Sequence, residues 1–497
     1  MLANRKYRGI SKAMTAIIVV IIIAIVAVAG GYEYYISTLP KKPTTPALSG
    51  SITVVAQAGE NDAALAQIAK NFEQLHPGVT INIVSISFGN ALTDYLTAFS
   101  ENQDAYDIIY FPNIGWLGKL EPYLLNLTPY INNPSYFPPS YNFSDILPSM
   151  INQFKFGNTL YAIPYLGDVM MFYYIPSYFT NTTNQALFKQ EYGYNLPNPG
   201  NTTITLKQLV DIANFFNGKH GSKYGIVMMN DEVADDMMET FTALFAAARV
   251  NMSSVYGPVT APYGELFTSS GEFLSDTPIF IQTLNYFAAL ENDSANEFNS
   301  GFLTTPETFG TGVAPMMIYW TPAMLSLQHS SIAGQWAIAK AFPGGVSNLG
   351  GVAFGIYKYT KNLPLALSFL EFATSQNQSV YYMTLDDLLP FRYSMFRYGI
   401  QHGIFPASDL NAMESYLSNA VQGEPNLPNW PPLLAYMQAE IAQVATMKIT
   451  PSQAASAITS YAASLGIPIY SGQGDPNLPN WPPLLAYMGN SNIFRLK

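Results

Sequence analysis

Two periodicities alternate at the start of the long middle of this chain. Residues 51–56 and 79–84 carry β-branched and apolar residues with a two-residue alternation, the signature of strands. Between them Leu65, Ile68, Ala69, Phe72 and Leu75 recur at the 3.6-residue period, which predicts a helix over 63–75 stopped by His76, Pro77 and Gly78. A second helix is expected over 94–99 and a third strand over 107–111. This β-α-β-α-β order predicts a parallel sheet covered by helices. Residues 51–470 are too many for one core, so two lobes are expected.

A different pattern precedes this. Residues 13–32 hold no charge and include the block from Ile17 to Val26. As a helix they would span about 30 Å, the thickness of a bilayer's hydrocarbon core. Arg5, Lys6, Arg8 and Lys12 lie before the run and Glu33 after it, which puts the N-terminus inside and the bulk of the chain outside. Residues 1–36 therefore read as a basic leader and transmembrane anchor, and 37–50, rich in Pro and Thr, as a linker. A cleaved secretory signal would have a shorter core with a small-residue site after it. Lys12-Ala13-Met14-Thr15 resembles instead the site of archaeal pilin-type signal peptidases, which cut before the apolar run and leave it attached; Arg8-Gly9-Ile10 is a second such place.

Composition narrows the partners. No Cys is present, so disulfides and thiolate metal sites are excluded. Charged residues are 11% of the chain and the formal net charge is −11, which argues against nucleic acid. A surface of neutral polar groups suits an acid medium, where carboxylates protonate. Sequons at Asn126, Asn142, Asn181, Asn201, Asn251, Asn292 and Asn377 predict a glycoprotein. The segment Pro-Asn-Leu-Pro-Asn-Trp-Pro-Pro-Leu-Leu-Ala-Tyr-Met occurs twice, at 425–437 and 476–488. The first copy runs into an expected helix over 433–447; the second meets Gly489 and Asn490, and 471–497 reads as an appended tail.

Many short segments in order resemble the extracellular solute-binding proteins of ABC importers, in the maltose-binding-like sugar group. They include Ile52-Thr53-Val54-Val55, Asn71-Phe72-Glu73, His76-Pro77-Gly78-Val79, Leu120-Glu121-Pro122, Gly157 to Pro164, Thr205-Leu206-Lys207-Gln208-Leu209 (with Leu where the family has Trp), Gly312 to Met316 with Trp320, Leu349-Gly350-Gly351-Val352 and Pro390-Phe391-Arg392. The resemblance implies an α/β, two-lobed periplasmic-binding-protein-like fold of type II, crossed three times by the chain. Lobe 1 is expected at 51–164 and 352–378, and lobe 2 at 165–351 and 379–470. It further implies a membrane-anchored importer subunit that binds a sugar, passes it to the permease and needs no cofactor.

Catalytic constellations are missing from the sequence: there is no zinc helix, nucleophile elbow or P-loop. His76, His220, His329 and His402 are far apart. Glu232, Asp235, Asp236, Asp386 and Asp387 could form a glycosidase pair, but neighbouring acids are more often solvated. A sugar asks for aromatic rings on its C–H faces and polar groups on its hydroxyls. Trp320 occupies the place where the family often stacks a Trp on sugar, and Trp116 follows a strand whose C-terminal end should face the cleft. Gln57, Glu60, Asn90, Pro112 and Asn113 follow the first three strands. Asp168 lies past the first crossing, Gly351 on the second, and Tyr436 after the first Trp430 segment. Trp336 reads as core, Trp430 as near the rim, and Trp481 as exposed. Other readings are the same fold with a non-sugar solute, an anchored secreted glycoside hydrolase, and a surface-layer or adhesive protein.

Overall fold

The computed structural model describes residues 48–231, 236–260, 262–295 and 300–472. The expected anchor over 13–32, most of the linker, Glu232, Asp235, the second repeat copy and Trp481 lie outside them. No helix among the described residues is long and apolar enough to cross a membrane.

Nine strands form the main sheet: β1 (Gly50–Gln57), β2 (Val79–Ile86), β3 (Ile108–Pro112), β4 (Ala162–Tyr174), β5 (Val227–Met228), β6 (Met316–Trp320), β7 (Ala337–Ile338), β8 (Asn348–Ile356) and β9 (Val421–Gln422). Their order is β2-β1-β3-β8-β4-β6-β5, with β9 added to β8 and β7 to β4. The β1–β2 pair is parallel from Gly50↔Val79 to Gln57↔Ile86, as the alternating pattern predicts. Helix α1 (Asp62–Leu75) joins them and buries Leu65, Ile68, Ala69 and Phe72 of the stripe read from the sequence, whereas Leu75, in its last turn, is exposed. Helix α2 (Phe88–Ser100) begins six residues before the predicted position 94, directly after β2. Its early turns carry Gly89 and Asn90, both exposed, so they give no apolar signal.

Two long strands connect the halves. The first part of β4 pairs antiparallel with β8, from Ala162↔Gly355 to Val169↔Leu349. Its second part pairs with β6, from Met170↔Trp320 to Tyr174↔Met316. The register slips between Val352 and Ala353, leaving Tyr165 as the extra residue of a bulge. Pro164 lies beside it, in a stretch that pairs with β8 while the Gly167 amide on the other side donates to the Leu389 carbonyl. On β8, Gly351 has φ +123°, and a Cβ there would lie 2.5 Å from Met150 Cε and 2.8 Å from the Leu166 carbonyl.

The remaining helices cover the sheet. The site uses α3 (Asp236–Arg249), which packs on α4 (Pro278–Asn292), together with α5 (Gln376–Leu385), α6 (Trp430–Ala445) and α7 (Pro451–Ser464). Helix α6 confirms that the first repeat copy is structural. It starts at Trp430 rather than at 433, because Pro431 and Pro432 fit the first turn, where no N–H partner is needed. Arg392, from the Pro-Phe-Arg segment, is fully buried and lies 4.5 Å from the Tyr141 ring. Among the sequons, Asn126, Asn142, Asn181, Asn201 and Asn377 are exposed and Asn292 is half-buried.

Candidate functional site

The C-terminal ends of β1 and β3 meet the middle of β4 and β8. In a parallel sheet those ends, with the loops after them, are where open α/β folds place ligands. The β1 loop is tightly wound: the amides of Glu60 and Asn61 donate to the Gln57 carbonyl, and Asn61 Oδ1 accepts from the Gln57 amide at 2.8 Å. This turn sets Gln57 Nε2 against Glu60 Oε2. Glu60 Oε1 and Gln57 Oε1 are shut off from solvent and have no hydrogen-bond partner.

Asp168 stands on β4, across β8 from β3. Its Oδ1 accepts from the Val169 amide at 2.8 Å, the Thr321 amide at 3.1 Å and the Thr321 hydroxyl, while its Oδ2 accepts no hydrogen bond. The side chain is partly open to solvent. Burial pushes the Glu60 carboxyl up to about 8, and the Asp168 charge adds to the rise. Asp168 itself is pushed up to about 7 by burial, against three hydrogen bonds that favour its charge. Asp386, at the end of α5, accepts from the Ala64 amide at 2.7 Å and contributes a further repulsion on Glu60.

Trp320 ends β6 opposite Met170. It is 5% exposed, its Nε1 donates to Glu239 Oε2 on α3 at 2.6 Å, and its carbonyl accepts from the Tyr173 hydroxyl at 3.0 Å. Gly350 explains how Trp320 meets Asp168. A Cβ at 350 would lie 2.9 Å from Trp320 Cζ3 and 2.9 Å from Asp168 Cβ, so the missing side chain leaves room for both around Gly350.

The sequence-derived candidates divide accordingly. Gln57, Glu60, Asp168 and Trp320 converge, with Gly351 in the strand beneath. Asn113 is adjacent, but both hydrogens of its amide are used internally, donating to Gln153 Oε1 at 2.6 Å and the Leu349 carbonyl at 2.7 Å. Pro112 is buried in the sheet opposite Val352. Trp116 is nearly buried, with its ring 5.2 Å from the exposed Phe88 ring on α2. Asn90 is exposed in the first turn of α2. Tyr436 stacks on Tyr461 of α7 at 4.1 Å and so packs helix on helix. Trp336 is half-buried and donates to the Leu327 carbonyl, while Trp430 is wholly buried.

Sequence reasoning missed Tyr165, Glu239 and Thr321. The bulge places Tyr165 where it acts on the Glu60 carboxyl, although its buried hydroxyl makes no hydrogen bond, and no periodicity marks a bulge. Glu239 lies in an acid-rich helix start that reads as a solvated face. The four histidines do not gather: His220 stacks on Phe215 at 3.9 Å and His402 on Tyr398 at 3.9 Å. Among the described residues no group of three His, Asp or Glu side chains could hold a metal ion.

Solved structures with the same fold include the GacH receptor of Streptomyces glaucescens, determined unliganded and with acarbose. It is 19% identical, with TM-score 0.63, covering 85% of this chain and 100% of that one. A solute-binding protein of Agrobacterium radiobacter in complex with ribitol is 17% identical, with TM-score 0.64 and 85% and 100% covered. One from Thermotoga lettingae bound with α-D-tagatose is 18% identical, with TM-score 0.63 and 84% and 100% covered. Residues 56–378 match the family described as bacterial extracellular solute-binding protein, and the chain belongs to that family.

Proposed function

We propose that this chain is the substrate-binding subunit of an ABC importer and takes a sugar or polyol between its two lobes. The observation that carries this is the meeting of Trp320 and Asp168 over Gly350, with Glu60 on the neighbouring loop. An indole face covers C–H groups while carboxyl oxygens accept from hydroxyls. The polyhydroxylated ligands of the proteins that share the fold point the same way. Lobe 1 is assigned to 51–164 and 352–378 and lobe 2 to 165–351 and 379–470. The ligand stabilises the closed arrangement, which the importer's membrane subunits distinguish from the open one.

Residues 13–32 would tether this receptor beside its importer with the globular part outside the cell, and the exposed sequon asparagines would carry glycans. The mechanism is binding without bond chemistry. A thermal-shift screen of sugars and polyols tests it, because a ligand that binds only the folded chain raises its melting temperature. A shift with one compound and no released product is expected. Turnover of a glycoside would replace the reading with hydrolysis, and no shift with any compound would remove the sugar.

A further inference from the structure

The ring of Trp320 is held at two opposite edges. On one, Nε1 donates to Glu239 Oε2 at 2.6 Å. On the other, Gly350 of β8 lies so close that a Cβ there would stand 2.9 Å from Cζ3. The peptide between Trp320 and Thr321 is fixed at both polar atoms, its carbonyl accepting from the Tyr173 hydroxyl at 3.0 Å and its amide donating to Asp168 Oδ1 at 3.1 Å. With the peptide fixed, the torsions χ1 and χ2 decide where an indole face points, and a bond at Nε1, away from both axes, restrains them together. Glu239 is tied in turn to the strand that supports the other edge. Asn348, two residues before Gly350 on β8, donates through Nδ2 to the Glu239 carbonyl at 3.1 Å and to the Thr242 hydroxyl on the same helix, α3.

An indole N–H donates and cannot accept. Without a partner at the edge of a cleft, it would turn toward a solute oxygen or stay buried and unmet. Held by Glu239, it is withdrawn from the cleft, and what Trp320 can offer a solute is a face, which takes C–H groups. On the footing of the cleft reading above, we propose that Glu239 is a positioning residue for solute binding: it fixes the posture of the Trp320 indole before a solute arrives and makes that wall of the cleft select a C–H face over an oxygen. The bond alone does not assign this role, since Trp430 makes the same one to Glu424 at 2.7 Å. What assigns it is the place of the ring, with β8 at its far edge and Asp168, itself partly open to solvent, beside the same Gly350.

The test is calorimetric titration of the full-length protein in detergent with ribitol, mannitol, tagatose and maltose, read with whichever the parent binds most tightly. Glu239→Leu, close in size but without an acceptor, should bind about tenfold more weakly. Glu239→Gln, which keeps an acceptor oxygen, should stay within about threefold of the parent. Added to Trp320→Phe, which has no N–H to hold, Glu239→Leu should cost no more than about twofold. In protein labelled with 5-fluorotryptophan, the fluorine signal that Trp320→Phe removes should move or broaden in Glu239→Leu and keep its place in Glu239→Gln. Glu424→Leu is the control for a bond that only packs, and should lower the melting temperature while leaving affinity within about twofold of the parent. If Glu239→Leu does not fold, Glu239→Asp, which draws the acceptor back by one methylene, is read in its place and should weaken binding by about threefold or more. Parent-like affinity or an unmoved fluorine signal in Glu239→Leu, an equal loss in Glu239→Gln or Glu424→Leu, or a loss that persists in the Trp320→Phe background each overturns the positioning role while leaving the cleft reading intact. Absence of binding by the parent to all four compounds removes the cleft reading and this inference with it.

Discussion

Trp320 and Trp430 make the same bond in two different places. Trp320 Nε1 donates to Glu239 Oε2 at 2.6 Å, and Trp430 Nε1 donates to Glu424 Oε2 at 2.7 Å. Both rings are buried, at 5% and 0% exposure. What separates them is the neighbour on the open side. Trp320 meets a carboxyl with a free oxygen across a glycine, at the joint of β4, β6 and β8. Trp430 meets backbone: a Cβ at Gly115 would lie 2.5 Å from its Cδ1, and the chain on either side is pinned by Asn426, which donates to the Gln153 carbonyl, and Asn429, which donates to the Leu465 carbonyl. A buried Trp–Glu pair thus carries no functional meaning alone. Unmatched acceptors do not separate the two places either, since Asn426 Oδ1 is buried without a partner beside Trp430; what differs is solvent, for Asp168 is partly open to it.

Substitution separates the two regions, and the largest effect belongs to Trp430. Replacing it with Ala empties a fully packed site and should cost about 3–5 kcal/mol of stability. Solute affinity of the fraction that remains folded should stay within about threefold of the parent. Chemical denaturation and titration measure the two quantities, and a large affinity loss with little change in stability would move Trp430 into the site. Trp320→Ala should do the reverse. Its solute affinity should fall at least tenfold, about 1.4 kcal/mol, with a smaller stability cost than at 430. Unchanged affinity there would break the comparison, since both tryptophans would then be core.

The sequence made legible whatever depends on local periodicity. The helix over Asp62–Leu75, both flanking strands and the parallel pairing follow from spacing alone. Asp168 and Trp320 were singled out from the order of short segments, although nothing in that order says that they touch. Their common position around Gly350 depends on the antiparallel pairing of Met170 with Trp320 and on a bulge at Tyr165, properties of strands far apart in sequence. Asn113 shows the reverse case. It lies on the loop where a ligand residue is expected, but its amide is consumed by Gln153 and Leu349, partners 40 and 236 residues away. Tyr436 fails to reach the cleft for a similar reason, since helix packing against Tyr461 sets its direction. Loop position marks which residues could serve; long-range hydrogen bonding decides which remain available.

The smallest effect sharpens, through pH, the contrast between a carboxyl raised by its surroundings and one lowered by them. Glu60 is raised from 4.5 to about 8, first by burial and then by Asp168, so the folded chain binds a proton over a window in which the unfolded chain has lost it. Stability must therefore fall as pH rises from about 5 to 8. Asp168, raised to about 7, acts in the same direction; Asp386, Tyr165 and Tyr110 are the other titratable groups coupled to Glu60. Asp145 behaves oppositely. Burial alone would raise it, but hydrogen bonds from Ser394 and Gln376 and the charge of buried Arg392 outweigh that and hold it below 3.8. Its contribution is present above that value and is lost only as the medium becomes more acid. The ligand-free protein should accordingly melt a few °C lower at pH 8 than at pH 5, on the order of 2–4 °C per kcal/mol for a chain of this size or less. Glu60→Gln keeps a neutral group against Gln57 and should flatten that decline, whereas Asp145→Asn should leave its slope unchanged and lower the whole curve. A parent melting temperature that does not fall between pH 5 and 8 would mean that the cleft carboxyls are already neutralised from within the fold, and the site would no longer differ from Asp145, which faces Arg392 and Arg397.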